Sequence, residues 1–306
     1  MDNNKDIKLF VIVVTYKGKQ WYDRCFTSLR NSTIPVQTIV VDNASNDGTV
    51  EYIKENYPEI ILIESKENLG FGKGNNLALK YAYEHGCDYV FLLNQDAWLD
   101  EDGTLEKLVE VAQQHPDYGI LSPMQMAANR KRLNIMLDHY SNRCPIKLFS
   151  DLYCGELKEI YTTNYVNAAS WLLPRKTLST LGGFDPLIYH YGEDDDYLNR
   201  AQYHGIKIGV CPSMRVIHDH QEHPKTSEQL QYLHDLNNLV KYLDINQPFH
   251  VGDCKRRIWN RWLRGVFHSG FKENQYLLKD ISFLRQQAKE IKSHRNQNMQ
   301  KGNNWL

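Results

Sequence analysis

Acidic and amide side chains stand in this sequence where apolar runs end. Asp42 directly follows a short branched apolar run, and Asn94, Gln95 and Asp96 follow the run Tyr89–Leu93. The first carboxylate is placed to accept a hydrogen bond from a base or ribose, although the same residue could cap a helix. The second, preceded by amides, suits a hard divalent cation that also binds phosphate oxygens. We therefore predict a nucleotide-binding site, with a solvated loop acid as the alternative at Asp96.

Four consecutive acids occupy positions 193–196, and a histidine stands at 218. Four neighbouring carboxylates cannot all be buried and ionised. We predict that one of them acts as a general base, while others cap a helix that starts near Tyr197. A solvated acidic face is the alternative. The neutral imidazole of His218 is a candidate to complete a metal site with Asp96, although a lone histidine often has a structural role.

A glycine-rich stretch lies between the third and fourth apolar runs. Gly70, Gly72 and Gly74 are flanked by Asn68 and Asn75, just before a helical pattern. Glycines let the backbone approach a ligand closely, and a helix start offers free N–H donors. The spacing is not the dinucleotide fingerprint, which follows a first strand. A structural turn is the alternative.

Apolar runs and helical stretches alternate through the first hundred residues. The runs at 9–14, 39–41, 60–63 and 89–93 are short, branched and not alternating, which is typical of strands buried on both faces of a parallel sheet. Helical spacing between them favours βαβ units and an α/β fold with a mostly parallel central sheet. In such a sheet ligands bind outside the carboxyl ends of the strands. Thr15 and Tyr16, Asp42, Asn68 and Asp96 are all expected at that edge.

Length and composition indicate a globular protein that stays in the cytoplasm. The chain has 306 residues, of which 42% are apolar, so it can bury a substantial core. It contains no apolar run long enough to span a membrane, and its first residues are polar rather than signal-like. Six scattered cysteines form no CxxC pair, which favours reduced thiols over a metal cluster.

The near-neutral total charge conceals two regions of opposite sign. From residue 225 onward the chain has 14 Lys and Arg against 7 Asp and Glu, whereas the preceding residues have 22 against 30. We predict a catalytic domain over 1–224 and a basic, mainly helical extension over 225–306. The acidic body disfavours nucleic-acid binding.

The basic extension contains an amphipathic segment. Its apolar residues would share one helical face; they are Ile258, Trp259, Trp262, Leu263, Val266 and Phe267. The neighbouring arginines favour peripheral binding to the inner face of an anionic membrane. Docking onto the catalytic domain, or onto a second subunit in a homo-oligomer, is the alternative.

Together these segments resemble the family-2 glycosyltransferases, which use the GT-A fold. The likeness covers roughly residues 8–222 and rests on several motifs in a fixed order. The motifs are Val11–Tyr16, Val41–Thr49, Asn68–Asn76, Leu92–Asp96, Gly182–Asp185, Glu193–Asp196 and His218. The bacterial rhamnosyltransferase and galactofuranosyltransferase branch is the most similar part of the family.

The resemblance implies inverting transfer of a hexose or deoxyhexose from a UDP- or dTDP-sugar. The acceptor would be a hydroxyl of a glycan or lipid-linked molecule in bacterial surface polysaccharide synthesis. Donor-binding positions are Thr15, Tyr16, Asp42, Asn68, Gly70, Asn75, Asn94, Gln95 and Asp96. Mg²⁺ or Mn²⁺ would bind Asp96 and His218. Asn94 replaces the first aspartate of the family's metal motif, which makes the metal site less anionic.

On the acceptor side, the resemblance makes Asp194 the catalytic base and places Glu193 beside the acceptor. Trp171 is expected to stack on an acceptor sugar.

One alternative function is that of a sugar nucleotidyltransferase, but these enzymes have a glycine-rich basic loop after the first strand. A second alternative, from a different class, is a catalytically weak nucleotide-sugar-binding subunit that acts in an assembly. The presence of Asp96, Asp194 and His218 disfavours it.

Overall fold

A computed structural model describes residues 7–134, 147–220, 226–269 and 275–306. The first four strands alternate with three helices, as the apolar runs predict. These elements are β1 (Leu9–Thr15), α1 (Lys19–Arg30), β2 (Val36–Asp42), α2 (Thr49–Asn56), β3 (Ile61–Glu64), α3 (Gly70–Glu84) and β4 (Tyr89–Leu93). Strands β3, β2, β1 and β4 lie side by side and are parallel.

The second half of the sheet mixes directions. Its elements are β5 (Ala97–Leu99), α4 (Thr104–Gln114), β6 (Tyr118–Met126), α5 (Leu148–Cys154), β7 (Tyr161–Thr163), β8 (Ser170–Pro174), α6 (Arg175–Leu181), α7 (Glu193–Tyr203) and β9 (Lys207–His218). Strand β8 is antiparallel to β4 and β6, whereas β6 and β9 are parallel. The central sheet is therefore mixed. Its parallel half was readable from the sequence, but its antiparallel half was not.

Both faces of the sheet are covered by helices. Along β1, Phe10 and Ile12 pack into a core that includes α3, whereas Leu9, Val11 and Val13 pack into a second core that includes α1 and α4. Adjacent strand residues point to opposite faces, so a strand with a core on each side must be apolar throughout. This explains why the runs do not alternate.

The chain forms two compact units. The first comprises Met1–Glu222 together with Lys301–Leu306, and the second comprises His223–Gln300. The last six residues therefore belong with the first unit, whereas the sequence assigned them to the extension. Gly183 N–H donates to Asn304 O over 2.8 Å, and a side chain at Gly182 would lie 1.8 Å from the same oxygen. This close approach requires glycine at 182.

The second unit is helical, as the sequence predicts. It contains α8 (Ser227–Leu243), α9 (Val251–Ser269) and α10 (Gln275–Asn298). Thr226 and Gln229 form a reciprocal capping box at the start of α8. In the described part of the chain, no helix is both long enough and apolar enough to cross a membrane.

Candidate functional site

The carboxyl ends of β1 and β2 place Thr15 beside Asp42. The two residues are register partners, and the Thr15 hydroxyl donates to Asp42 Oδ1 over 3.2 Å. Asp42 Oδ2 accepts the backbone N–H of Ser45 over 2.9 Å. Both side chains are buried. The Asp42 carboxylate is thus held in one orientation before any ligand binds, as a base-recognition residue requires.

Gln95 connects the loop after β4 to the loop after β1. Its Oε1 accepts the Tyr16 N–H over 2.9 Å, and its Nε2 donates to Tyr16 O over 3.2 Å. A side chain at Gly18 would lie 2.3 Å from Gln95 Oε1, so the close approach depends on glycine there. Tyr16 keeps 41% of its surface exposed. The two loops expected to hold nucleoside and diphosphate are therefore fixed relative to each other.

The glycine-rich stretch is the first part of α3 and not a loop before it. A side chain at Gly70 would lie 1.9 Å from Tyr189 O, and one at Gly72 would lie 3.1 Å from Phe184 Cβ. Asn68 Oδ1 accepts the Gly70 N–H over 2.9 Å and so shapes the helix start. These glycines allow close packing within the protein. The sequence alone could not distinguish this need for glycine from close contact with a ligand.

Asn75 and Asn43 both serve this helix start. Asn75 is buried and donates to Phe71 O one turn earlier, over 2.9 Å, so its amide nitrogen already has a partner. Asn43, to which the sequence gave no role, donates to Gly70 O over 3.0 Å and accepts the Leu69 N–H over 3.3 Å. It ties the end of β2 to α3. Donor contacts by Asn75 stay a prediction.

Pairing of β5 with β9 brings Asp96 next to His218. Ala97 is the register partner of His218, and Asp219 N–H donates to Asp96 O over 2.9 Å. The Asp96 Oδ1 to His218 Nε2 distance is 3.4 Å, longer than a well-formed hydrogen bond. Burial raises the pKa of Asp96, but the contact with His218 and smaller contributions, including His220, bring it below its ordinary value.

These side chains fit a divalent cation. Ligand atoms of Asp96, His218 and His220 lie within 4.8 Å of one another. His218 is buried, yet neither of its ring nitrogens has a hydrogen-bond partner among the residues that the structure describes. Buried polar atoms normally have a partner, and imidazole nitrogen is a common metal ligand. Asn94 Oδ1 is likewise buried and without a partner within the described ranges.

Residues behind the cluster fix its backbone. Asn134 is buried and donates through its amide to His218 O over 3.0 Å. Trp21, on α1, donates through its indole N–H to Asp219 Oδ2 over 3.0 Å. Neither residue stands in a recognisable motif, so the sequence gave no signal for them.

The acidic cluster starts α7 at Glu193, four residues before the expected start near Tyr197. The four acids separate into different environments. Asp196 is buried and forms a 2.8 Å ion pair with buried Arg200, which also donates to Leu181 O and Gly183 O. Asp196 is therefore structural, because removing one partner would leave a buried charge uncompensated.

Glu193 and Asp194 carry the titratable chemistry of the cluster. Burial raises the pKa of Glu193 to about 8, and the neighbouring Asp194 charge adds to the rise. Burial also raises the pKa of Asp194, while hydrogen bonds oppose the rise. Its Oδ2 accepts the Tyr165 hydroxyl over 2.8 Å, and its Oδ1 accepts the Asp195 N–H over 2.9 Å. At neutral pH the raised pKa favours a protonated Glu193, while the donors to Asp194 favour the charged form of that carboxyl against its burial.

One backbone segment connects the acid pair to the candidate metal cluster. The backbone N–H of Ala168 faces the Asp194 carboxylate and opposes the rise of its pKa, and Ala169 O accepts the Asn94 N–H over 3.0 Å. Asn94 O in turn accepts the Ala97 N–H over 3.0 Å. Asp194 thus lies against the segment that is hydrogen-bonded to the turn carrying Asp96.

Trp171 corrects an expectation. Its side chain is fully buried, and its ring packs near Phe184 and Tyr197 with centroid distances of 6.4 and 5.8 Å. It is the second residue of β8, opposite Leu92 of β4. A large aromatic ring in a central strand gains most by burial. Trp171 therefore belongs to the core and offers no surface to an acceptor sugar in this structure.

Comparison with known proteins agrees with the fold and with the family that the motifs predict. Residues 10–164 match glycosyl transferase family 2. An N-acetylglucosaminyl-diphospho-decaprenol L-rhamnosyltransferase of Mycobacterium tuberculosis is 24% identical over 92% of this chain and 96% of its own length. The low-salt glycan biosynthesis hexosyltransferase Agl10 of Haloferax volcanii is 22% identical over 79% of this chain and 76% of its own.

Solved structures show the same fold. TarS 1-349 of S. aureus, in complex with UDP-GlcNAc, has a TM-score of 0.58 at 17% identity, covering 94% of this chain and 84% of its own. This chain spans 50% of a longer TarS structure. The mannosyltransferase PcManGT of Pyrobaculum calidifontis, in complex with GDP-Man and Mn²⁺, has a TM-score of 0.52 at 18% identity, covering 92% and 75%. The expected GT-A fold is confirmed, and the chain belongs to glycosyl transferase family 2.

Proposed function

We propose that this glycosyltransferase moves a hexose or deoxyhexose from a UDP- or dTDP-sugar to a hydroxyl of a lipid-linked glycan acceptor. The observation that carries the proposal is that the segment of Ala168 and Ala169, which faces Asp194, is hydrogen-bonded to the turn that carries Asp96. A base for the acceptor and a cation ligand for the donor diphosphate therefore stand on one sheet edge. We place the product in bacterial surface polysaccharide synthesis, because one relative is named for rhamnosyl transfer to a lipid-linked sugar and another for glycan biosynthesis.

The reaction is a single displacement. The acceptor oxygen attacks the anomeric carbon while Asp194 takes the hydroxyl proton, and the bond from that carbon to the diphosphate oxygen breaks. One displacement inverts the anomeric configuration. Asp42 holds the nucleotide base. Gln95 fixes the loop after β1, which contains Tyr16, relative to the loop after β4, which binds the diphosphate. Neither a nucleotidyltransferase nor a binding-only subunit is supported by the family assignment.

We propose Mg²⁺ or Mn²⁺ as the cofactor, held by Asp96 and His218 with His220 in reach. Such a cation neutralises the charge that develops on a departing diphosphate. The low pKa of Asp96 favours the ionised carboxylate that a hard cation needs.

Screening donors against the wild-type chain tests the function. UDP-, dTDP- and GDP-sugars are offered with Mn²⁺, Mg²⁺ or EDTA, and N-acetylglucosaminyl-diphospho-farnesol is the acceptor probe. We expect transfer from one donor class, loss of transfer in EDTA, and a nucleotide-dependent rise in melting temperature that needs the metal. Asp96→Asn should weaken that metal dependence. Absence of any donor-dependent shift or transfer would overturn the proposal.

Asp194→Asn tests the base. The amide keeps the shape of the side chain but cannot accept a proton, so kcat should fall about 100- to 10,000-fold. Binding of UDP or dTDP, measured by calorimetry, should stay nearly unchanged. Asp195→Asn, the adjacent acid in the same turn, is the matched control and should keep most activity. Near-normal turnover in Asp194→Asn would remove Asp194 from this role.

Glu193→Gln tests the division of labour between the two acids. Because the pKa of Glu193 is raised to about 8, this residue stays protonated at pH 7 and loses its proton as the pH rises through that value. The new charge would lie beside Asp194 and would face the diphosphate, so wild-type kcat/KM should fall above pH 8. The glutamine variant is permanently neutral and should lack this alkaline decline. A decline of the same midpoint in both proteins would exclude Glu193 as its source.

We also propose peripheral contact with an anionic membrane through α9. The apolar face that the sequence predicts for α9 is partly buried and partly exposed. Cys254 and Ile258 pack with Leu284 inside the helical unit, whereas Trp259 and Leu263 are 46% and 38% exposed. The side chains of Val266 and Phe267 lie outside the described residues. Arg256, Arg257 and Arg261 are exposed nearby, so the surface combines apolar and cationic groups.

Vesicle flotation tests this contact. The full chain should float with vesicles of phosphatidylglycerol and phosphatidylcholine but not with phosphatidylcholine alone. The double substitution Trp259→Ser and Leu263→Ser should abolish flotation. Leu230→Ser, at a 56% exposed leucine of α8, is the control and should have no effect. Equal flotation of the double variant would place the contact elsewhere.

A further inference from the structure

The loop at residues 186–192 presents two exposed tyrosines just before the acid pair. Tyr189 and Tyr191 have 48% and 55% of their surface exposed. The aromatic rings that pack behind the loop, Trp171, Phe184 and Tyr197, are fully buried. A ring left in solvent beside catalytic groups forgoes the stabilisation that burial would give it, which indicates a role in binding.

Tyr189 anchors the loop to the donor side of the site. Its hydroxyl donates to Asn68 O over 3.2 Å, and its carbonyl oxygen would lie 1.9 Å from a side chain at Gly70. The loop thus lies directly against the first turn of α3. Glu193 approaches the same turn, since its Cβ would be 3.8 Å from a side chain at Gly72.

Tyr191 has an unusual backbone conformation. Its φ is +67°, in the left-handed region that bulky side chains rarely adopt, and Gly192 follows at +78°. Such a conformation costs on the order of 1–3 kcal/mol and persists where the surroundings impose it, often at ligand-binding sites. The Tyr191 ring lies beside the His190 ring at 4.1 Å between centroids. The ring two residues before Glu193 is therefore held on a strained backbone.

We infer that Tyr191, with Tyr189 beside it, forms the platform on which the acceptor sugar stacks. This inference rests on the proposed function. The C–H face of a pyranose packs on a flat aromatic ring, while its hydroxyls point outward to polar partners. A sugar on this platform would present its hydroxyl next to Asp194, three residues after Tyr191. The platform takes the role that the sequence gave to Trp171.

Steady-state transfer to N-acetylglucosaminyl-diphospho-farnesol by the full chain tests the platform. Tyr191→Gly removes the ring and relieves the left-handed backbone, which offsets the added freedom of glycine in the unfolded chain, so this variant should still fold. We expect its acceptor KM to rise about tenfold, while the donor KM and the slow hydrolysis of donor by water stay unchanged. Tyr191→Phe keeps the ring and should retain the wild-type acceptor KM.

Tyr203→Ala is the matched control, because Tyr203 is a 43% exposed tyrosine at the far end of the acid-bearing helix α7. An unchanged acceptor KM in Tyr191→Gly, or an increase confined to the donor KM, would overturn the platform while leaving the proposed function intact. Failure of the wild-type chain to transfer any sugar to this probe would instead overturn the proposed lipid-linked acceptor, and the platform with it.

Discussion

The candidate site depends on a very short piece of strand pairing. Strand β5 has only three residues, yet its antiparallel pairing with β9 is what places Asp96 beside His218. These residues are far apart in sequence, so the contact carries a loop-closure cost that neighbouring structure must offset. The β6–β9 ladder, the Asn134 amide and the Trp21–Asp219 hydrogen bond provide that support. A candidate cation site can thus form at the rim of the sheet without a continuous motif.

The acidic side chains of the candidate site differ in their charge state because their surroundings differ. Asp196 is neutralised by Arg200, Glu193 is kept protonated by burial, and Asp194 is held by donors that favour its charge. Asp96 has a lowered pKa because a histidine faces it. One helix turn therefore holds acids in three different environments, and each environment follows from the immediate partners of the side chain and not from residue type.

The sequence predicted those features that follow from local pattern. The four parallel strands, the convergence of Thr15, Asp42 and Asp96 at one edge, and the helical extension all follow from periodicity and turn residues. What it missed depends on long-range packing. The position of Trp171 between Phe184 and Tyr197 is visible only once β8 lies against β4. The glycines of α3 resembled a ligand loop because close packing and ligand approach require the same small residue.

Lys301–Leu306 return to the first unit after the three helices of the second. In topological terms the helical unit is an insertion with two connections, not an appendage with one. Cutting the chain before α8 would therefore also remove the peptide that covers Gly182 and Gly183, the turn whose carbonyls receive Tyr197 and Arg200 of the acid-bearing helix. A shortened protein would lose support for the helix that carries Glu193 and Asp194, even if the helices of the second unit took no part in the reaction.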